Sequence, residues 1–228
     1  YKMHPLIKES ILQQEVISIS TFEELIDSIS NDEFWHCNDE YNKLLIKKQI
    51  AKKIIDYFID VDYKKILDLI VQYSHICIEF SEYKESITVL THTRELCEAE
   101  ENYDERILLS INLAIAYSYF HGCDQKEVVS CLKAIDEMAD KIQLSDDDLF
   151  DIYNLHIMTK SYFGEMENAK QYFDKICELK ITERDFMTAM LNYTSGLIQV
   201  KKMDDAMFYM MKFKERFEKE YSNHEAYL

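Results

Sequence analysis

Four carboxamide side chains stand at nearly regular intervals: Gln72, Asn112, Asn154 and Asn192, separated by 40, 42 and 38 residues. A carboxamide carries both a donor and an acceptor. A row of them can pair with the N–H and C=O groups of an extended peptide, which need partners once water is removed. The same amides can instead hydrogen-bond within the protein, and residue type does not choose between these uses. Other chemistry finds little footing. The seven His show neither H-x-x-x-H nor H-E-x-x-H spacing. His75 and Cys77 are two residues apart, so a helix points them in different directions. Ser145-Asp-Asp-Asp148 could bind a cation, but it reads first as a helix N-cap with favourable dipole charge. There is no Gly-rich phosphate loop. We expect no enzyme activity, no metal and no cofactor.

Helices must position these amides. Three Gly and one Pro in 228 residues are too few for the turns of an all-β or α/β fold. Ala, Leu, Glu, Lys, Met and Ile, the residues of all-helical proteins, are plentiful. Apolar residues recur at spacings of three and four, predicting helices near 5–17, 20–30, 40–59, 62–80, 84–100, 104–121, 124–142, 146–163, 166–179, 183–200 and 203–220. Ser20-x-x-Glu23, Asn102-x-x-Glu105, Ser145-x-x-Asp148 and Thr182-x-x-Asp185 supply N-terminal capping signals. Connections are short, so successive helices are antiparallel neighbours. Residues 1–39 have weaker periodicity and are expected to form an N-terminal helical cap or a link to an upstream domain. Residues 40–228 form the repeat domain.

The stretch FGEMENAKQYF, 163–173, has two relatives at 80–90 and 200–210. Each places an apolar residue (Tyr83, Met166, Met203), a small one three later (Ser86, Ala169, Ala206) and a large one four further on (Leu90, Phe173, Met210). Aligning the preceding helix ends at Phe80, Phe120, Phe163 and Val200 gives periods of 40, 43 and 37, with two extra residues in the turn of the 104–142 unit. A period in this range with two helices per unit means a helical solenoid. The small residue allows close backbone approach, and the large one fills the space between repeats.

Asn112-Leu-Ala-Ile-Ala-Tyr117 resembles the first-helix pattern of the tetratricopeptide repeat, and Gly164-x-Met166-x-x-Ala169 resembles its turn and second helix. The resemblance covers about residues 62–220 and is degenerate. The family period is ~34, and His156 stands where the family has a small residue. It implies an all-α, right-handed α-α superhelix whose first helices line the concave side. Gln72, Asn112, Asn154 and Asn192 then share that side with Ile115, Tyr119, Phe150, Tyr153, Ile157 and Lys160. Such a groove suits a short hydrophobic peptide better than an acidic tail, which needs several Lys or Arg.

The formal net charge of −17 disfavours nucleic-acid and anionic-membrane surfaces. No run approaches the ~18 apolar residues of a membrane span, and no segment reads as a signal peptide. The six Cys contain no C-x-x-C pair and read as reduced thiols of a cytoplasmic protein. Degenerate units of about 40 residues, rich in Tyr, Ile, Lys and Glu, resemble the sensor domains of Gram-positive peptide-pheromone regulators, the Rgg, PlcR and PrgX group. That resemblance implies peptide sensing, dimerisation, and DNA contact only through a helix-turn-helix domain upstream of Tyr1. The alternative is a scaffold that assembles partner proteins without a signal peptide. The last helix carries Met203, Met207, Met210, Met211, Phe208, Phe213 and Phe217 on more than one face. A homodimer is the expected cover.

Overall fold

The computed structural model describes residues 40–221. The helices expected near 5–17 and 20–30, the Ser20 cap and the cap-or-linker role of 1–39 lie outside the described residues. Every described element is helical. The order is α1 (Glu40–Asp62), a single 3-10 turn (Tyr63–Ile66), α2 (Leu67–Glu79), α3 (Tyr83–Glu98), α4 (Glu105–His121), α5 (Gln125–Ala139), α6 (Asp146–Tyr162), α7 (Met166–Ile176), α8 (Glu183–Gln199) and α9 (Met203–Tyr221). The chain divides into two units, one ending at Gly122 and one beginning at Cys123. The principal helix contacts join elements one or two steps apart along the chain.

Helix starts follow local chemistry. Ser145 caps α6 reciprocally: Asp148 N donates to Ser145 Oγ (3.1 Å), and Ser145 N donates to Asp148 Oδ2 (2.9 Å). Thr182 Oγ1 accepts from Asp185 N (3.2 Å) at the start of α8. The α4 cap is not Asn102 but Asp104, whose carboxylate accepts from Arg106 N (2.9 Å). Asp104 has the extended backbone of a cap, whereas Asn102 sits in the preceding turn. Helix α7 ends at Ile176, short of the expected 179. There the backbone closes a tighter turn, Leu179 N to Ile176 O, and Lys180 N turns to Asp146 Oδ2 (3.0 Å).

The turns repeat more faithfully than the residues in them. Ser81, Cys123, Gly164 and Lys201 all have left-handed φ, between 58° and 74°. Three follow the aligned ends Phe80, Phe163 and Val200 by one residue. Cys123 follows Phe120 by three, which accounts for the two extra residues in that turn. In the other three turns the left-handed residue and its successor return hydrogen bonds to the helix end, for example Lys201 N to Ile198 O and Lys202 N to Leu197 O. Only one of the four is Gly, and a left-handed non-Gly residue costs ~1–2 kcal/mol. We expect Lys201→Gly to stabilise the chain by about 0.5–1 kcal/mol after the entropy gained by the unfolded chain is set against it. Thermal melting checks this, with Lys170→Gly inside α7 as a control that lowers stability by roughly 1 kcal/mol.

The first unit is cored by Ile55, Phe58, Ile70, Leu90 and Ile111, all buried. Ser86 and Ser118 meet at 2.7 Å between α3 and α4, a contact that only small residues permit. In the second unit Ala169 and Ala206 are buried at the expected close contacts. Phe173 stacks on Tyr193 at 5.1 Å, and Tyr209 closes edge-on against both.

Candidate functional site

The second unit brings α6 and α8 side by side. Asn192 Nδ2 donates to Asn154 Oδ1 at 2.9 Å across the seam. Further on, one turn along α8 and two along α6, Ser161 presses against Gly196. A Cβ built on Gly196 would lie 2.4 Å from Ser161 Oγ and 2.5 Å from Ser161 Cβ. Gly196 therefore sets the approach of the two helices, and the amide pair locks their register.

This seam decides which residues face outward. Phe150, Asn154, Ile157 and Ser161 point into it and are buried. The outward strip of α6 is Asp147, Asp151, Met158 and Tyr162, at spacings of four, seven and four. On α8 the adjoining strip is Thr188, Asn192 and Ser195. At its N-terminal end this surface is acidic. Part of the Asp151 side chain reaches solvent, yet protein atoms crowd it. Partial burial pushes its pKa up to about 6, helped by Asp185, Asp148 and Asp147, all of the same sign. A cation placed there would relieve this repulsion.

Within each unit the expected groove residues differ in exposure. Gln72 is exposed on α2, and Tyr119 is half-buried on α4. Asn112 is buried, with Arg94 Nη1 donating to its Oδ1 over a long 3.5 Å. Ile115, Ile157 and Phe150 are core residues, because the sides of α4 and α6 that carry them are covered by neighbouring helices. Tyr153 and Lys160 lie on the flank of α6 that meets α7. Lys175 Nζ sits 5.1 Å over the Tyr153 ring, and Lys160 pairs with Glu165 at 3.0 Å. His156, out of place for a small-residue position, fills a slot beside them. Its ring stacks on Tyr172 at 4.1 Å, and its Nε2 lies 2.9 Å from Asp136 Oδ1.

The outward strip of Asp147, Asp151, Met158 and Ser195 was missed by sequence reasoning. The seven-residue step from Asp151 to Met158 was a readable signal. The depth of the seam, fixed by Gly196, was not.

A second concavity of about 440 Å³ opens between α7, α8 and α9 over Phe173, Phe186 and Tyr209. Its charged rim is largely engaged: Arg216 stacks 4.1 Å over Phe186 and lies 3.4 Å from Glu183, and Lys170 holds Asp174 at 2.5 Å. Among the described residues no group of three or more His, Cys, Asp or Glu could hold a metal ion. No described helix is long and apolar enough to cross a membrane. The five described cysteines, Cys77, Cys97, Cys123, Cys131 and Cys177, form no disulfide.

No family model and no curated protein matches the sequence. Solved structures do match the fold. A Podosopora anserina protein described as a putative kinesin light chain with nearly identical TPR-like repeats superposes with a TM-score of 0.59 at 10% identity. It covers 88% of this chain and 95% of its own. A single-substitution variant of that protein gives the same score and identity over 90% and 97%. The fold is a TPR-like helical repeat. At this identity the likeness speaks for architecture alone. It agrees with the all-α repeat class read from the periods of 40, 43 and 37.

Proposed function

We propose that this chain is a protein-interaction module that takes an extended segment of another polypeptide on the α6–α8 strip. The observation that supports this most directly is the strip itself. An accessible carboxylate crowded by its own kind, Asp151, stands at one end, and a half-buried amide, Asn192, borders the middle. Met158 and Tyr162 supply apolar contact beyond. A segment that fits has a Lys or Arg near one end and apolar side chains near the other. Its backbone meets Asn192, whose bond to Asn154 holds the amide in place. Tyr153 and Lys160 on the α7 flank are secondary contact candidates for that segment; in the first unit, taken by itself, Gln72 and Tyr119 are separate contact candidates.

The narrower reading is the peptide-sensing domain of a transcription regulator, implied by the sequence resemblance. It uses the same strip and differs in its ligand, a free short peptide rather than a segment of a folded partner.

The test is selection of binders from a synthetic library of eight-residue peptides, followed by titration against variants. Asn192→Ala and Asp151→Asn are each expected to weaken selected peptides by about 5- to 30-fold, or 1–2 kcal/mol, with helicity unchanged. Added salt should erase the Asp151 effect first. Peptides that bind both variants as tightly as the parent would place the site elsewhere. Selected peptides that lose affinity when embedded in a longer chain favour the sensor reading.

A further inference from the structure

Helix α3 carries a cation that its surroundings leave unmatched. Lys48, Lys52 and Lys160 are half-buried, and each pairs with a carboxylate: Glu82, Glu85 at 2.7 Å and Glu165 at 3.0 Å respectively. Arg94 is half-buried too, yet among the described residues it pairs with no carboxylate. Glu98, one turn further on, is exposed and makes no pair with it. Its partner is instead the buried amide of Asn112, whose Oδ1 accepts from Nη1 at 3.5 Å. An amide brings no charge, and the guanidinium has five donors to satisfy. A partly desolvated cation without an anion is disfavoured, in a chain that has 43 acidic residues against 26 basic ones.

A second unengaged donor stands beside it. Thr91 lies one turn before Arg94, on the same face of α3. Thr88 and Thr93 return their hydroxyls to carbonyls four residues back, at 2.7 and 2.9 Å. Thr91 makes no such bond among the described residues, and its hydroxyl is not sealed from solvent. Ile87, a further turn back and half-buried, continues this face. The Ser86–Ser118 contact at 2.7 Å brings Tyr119 of α4, also half-buried, to the level of Ile87.

We infer that Thr91 and Arg94 form a binding site for a single carboxylate carried on an apolar group. The two oxygens of a carboxylate match the planar fork of a guanidinium, and one of them can also accept from the Thr91 hydroxyl. Ile87 and the Tyr119 ring stand where the apolar part of the ligand would lie. The charge of the chain narrows the class further. At −17 it repels polyanions, so acidic tails and phosphorylated segments approach against the field. A lone carboxylate beside an apolar group meets the least of that repulsion. Two sources have this chemistry, an aliphatic acid and the C-terminal residue of a polypeptide. Asn112 is a positioning residue that orients the guanidinium from within. The site belongs to the first unit and does not depend on the α6–α8 strip.

The experiment follows the Nε–H nuclear magnetic resonance signals of the 228-residue chain isotope-labelled in arginine. Arg94, Arg106, Arg184 and Arg216 are its four arginines, so each signal can be assigned by substitution to Lys. The probes are N-acetyl-leucine, isovalerate and inorganic phosphate at constant ionic strength, with uncharged N-acetyl-leucinamide as control. Both carboxylates are expected to shift the Arg94 signal saturably, at concentrations at least about 10-fold below the leucinamide. Thr91→Val keeps the side-chain shape and should raise the midpoint about 5-fold, the loss of one hydrogen bond. Asn112→Asp sets a carboxylate against Arg94 from within and should abolish the response with helicity unchanged. N-acetyl-leucine acting below isovalerate assigns the ligand as a polypeptide C-terminus, and equal midpoints assign it as a simple acid. An Arg94 signal that moves no further than those of the other three arginines overturns the site. Phosphate acting at lower concentration than either carboxylate overturns the carboxylate class, and an unchanged midpoint in folded Thr91→Val removes Thr91 from the site.

Discussion

Replacing Gly196 by Ala is expected to destabilise the second unit by about 2 kcal/mol, although the same change in an exposed helix would stabilise it by ~1 kcal/mol. The new Cβ would fall 2.4 Å from Ser161 Oγ, 2.5 Å from Ser161 Cβ and 3.0 Å from Met166 Sδ. Ser161 Cβ is fixed to the α6 backbone and cannot swing aside as a side-chain end would. Helix α8 must move, and the 2.9 Å bond from Asn192 to Asn154 is the first contact to open. Urea unfolding measures the loss. The companion is Gly196→Ala/Ser161→Gly, which returns the space. Ser161 Oγ has no hydrogen-bond partner, so its removal costs no hydrogen bond. A double variant as unstable as the single one would show that the seam is not what the methyl group disturbs.

Phe173→Ala is expected to cost more, about 3–5 kcal/mol. The ring lies 5.1 Å from Tyr193 and nearly parallel to it, with Tyr209 and Phe186 at 5.6 and 5.9 Å. Its loss leaves a cavity bounded by three helices, each already tied to others. Stability typically totals only 5–15 kcal/mol, so the second unit should melt at a much lower temperature. Near-ultraviolet circular dichroism should lose the tyrosine signal that fixed packing of Tyr193 and Tyr209 produces. Phe173→Leu keeps most of the volume and should cost no more than about 1.5 kcal/mol. Equal losses for Ala and Leu would mean that the aromatic stack, rather than filled space, carries the contribution.

The sequence made the helices legible because their signals are local. Ser145 and Thr182 cap helices within three residues of themselves, and the turns after Phe163 and Val200 sit where the aligned repeats put them. The same locality misled at Asn102, where Asp104, two residues on, had the better backbone for the cap. The site was less legible because its register depends on a distant contact. Whether Ile157 or Met158 faces outward is decided by how close α8 comes, which Gly196 decides from 39 residues away. The amides were found, and their partners were not. Spacing alone makes Asn154 and Asn192 equals in a row, whereas the structure bonds one to the other.

The wiring of the helices also bears on how the chain acquires its structure. Principal contacts join elements no more than two apart, so the loops to be closed in folding span a few tens of residues. Closure entropy over such distances is modest, and chains with local contacts reach their native state quickly. Each stretch emerging from a ribosome meets its packing partners almost at once. Residues 40–122 can thus begin to assemble before residues 123–221 have been made.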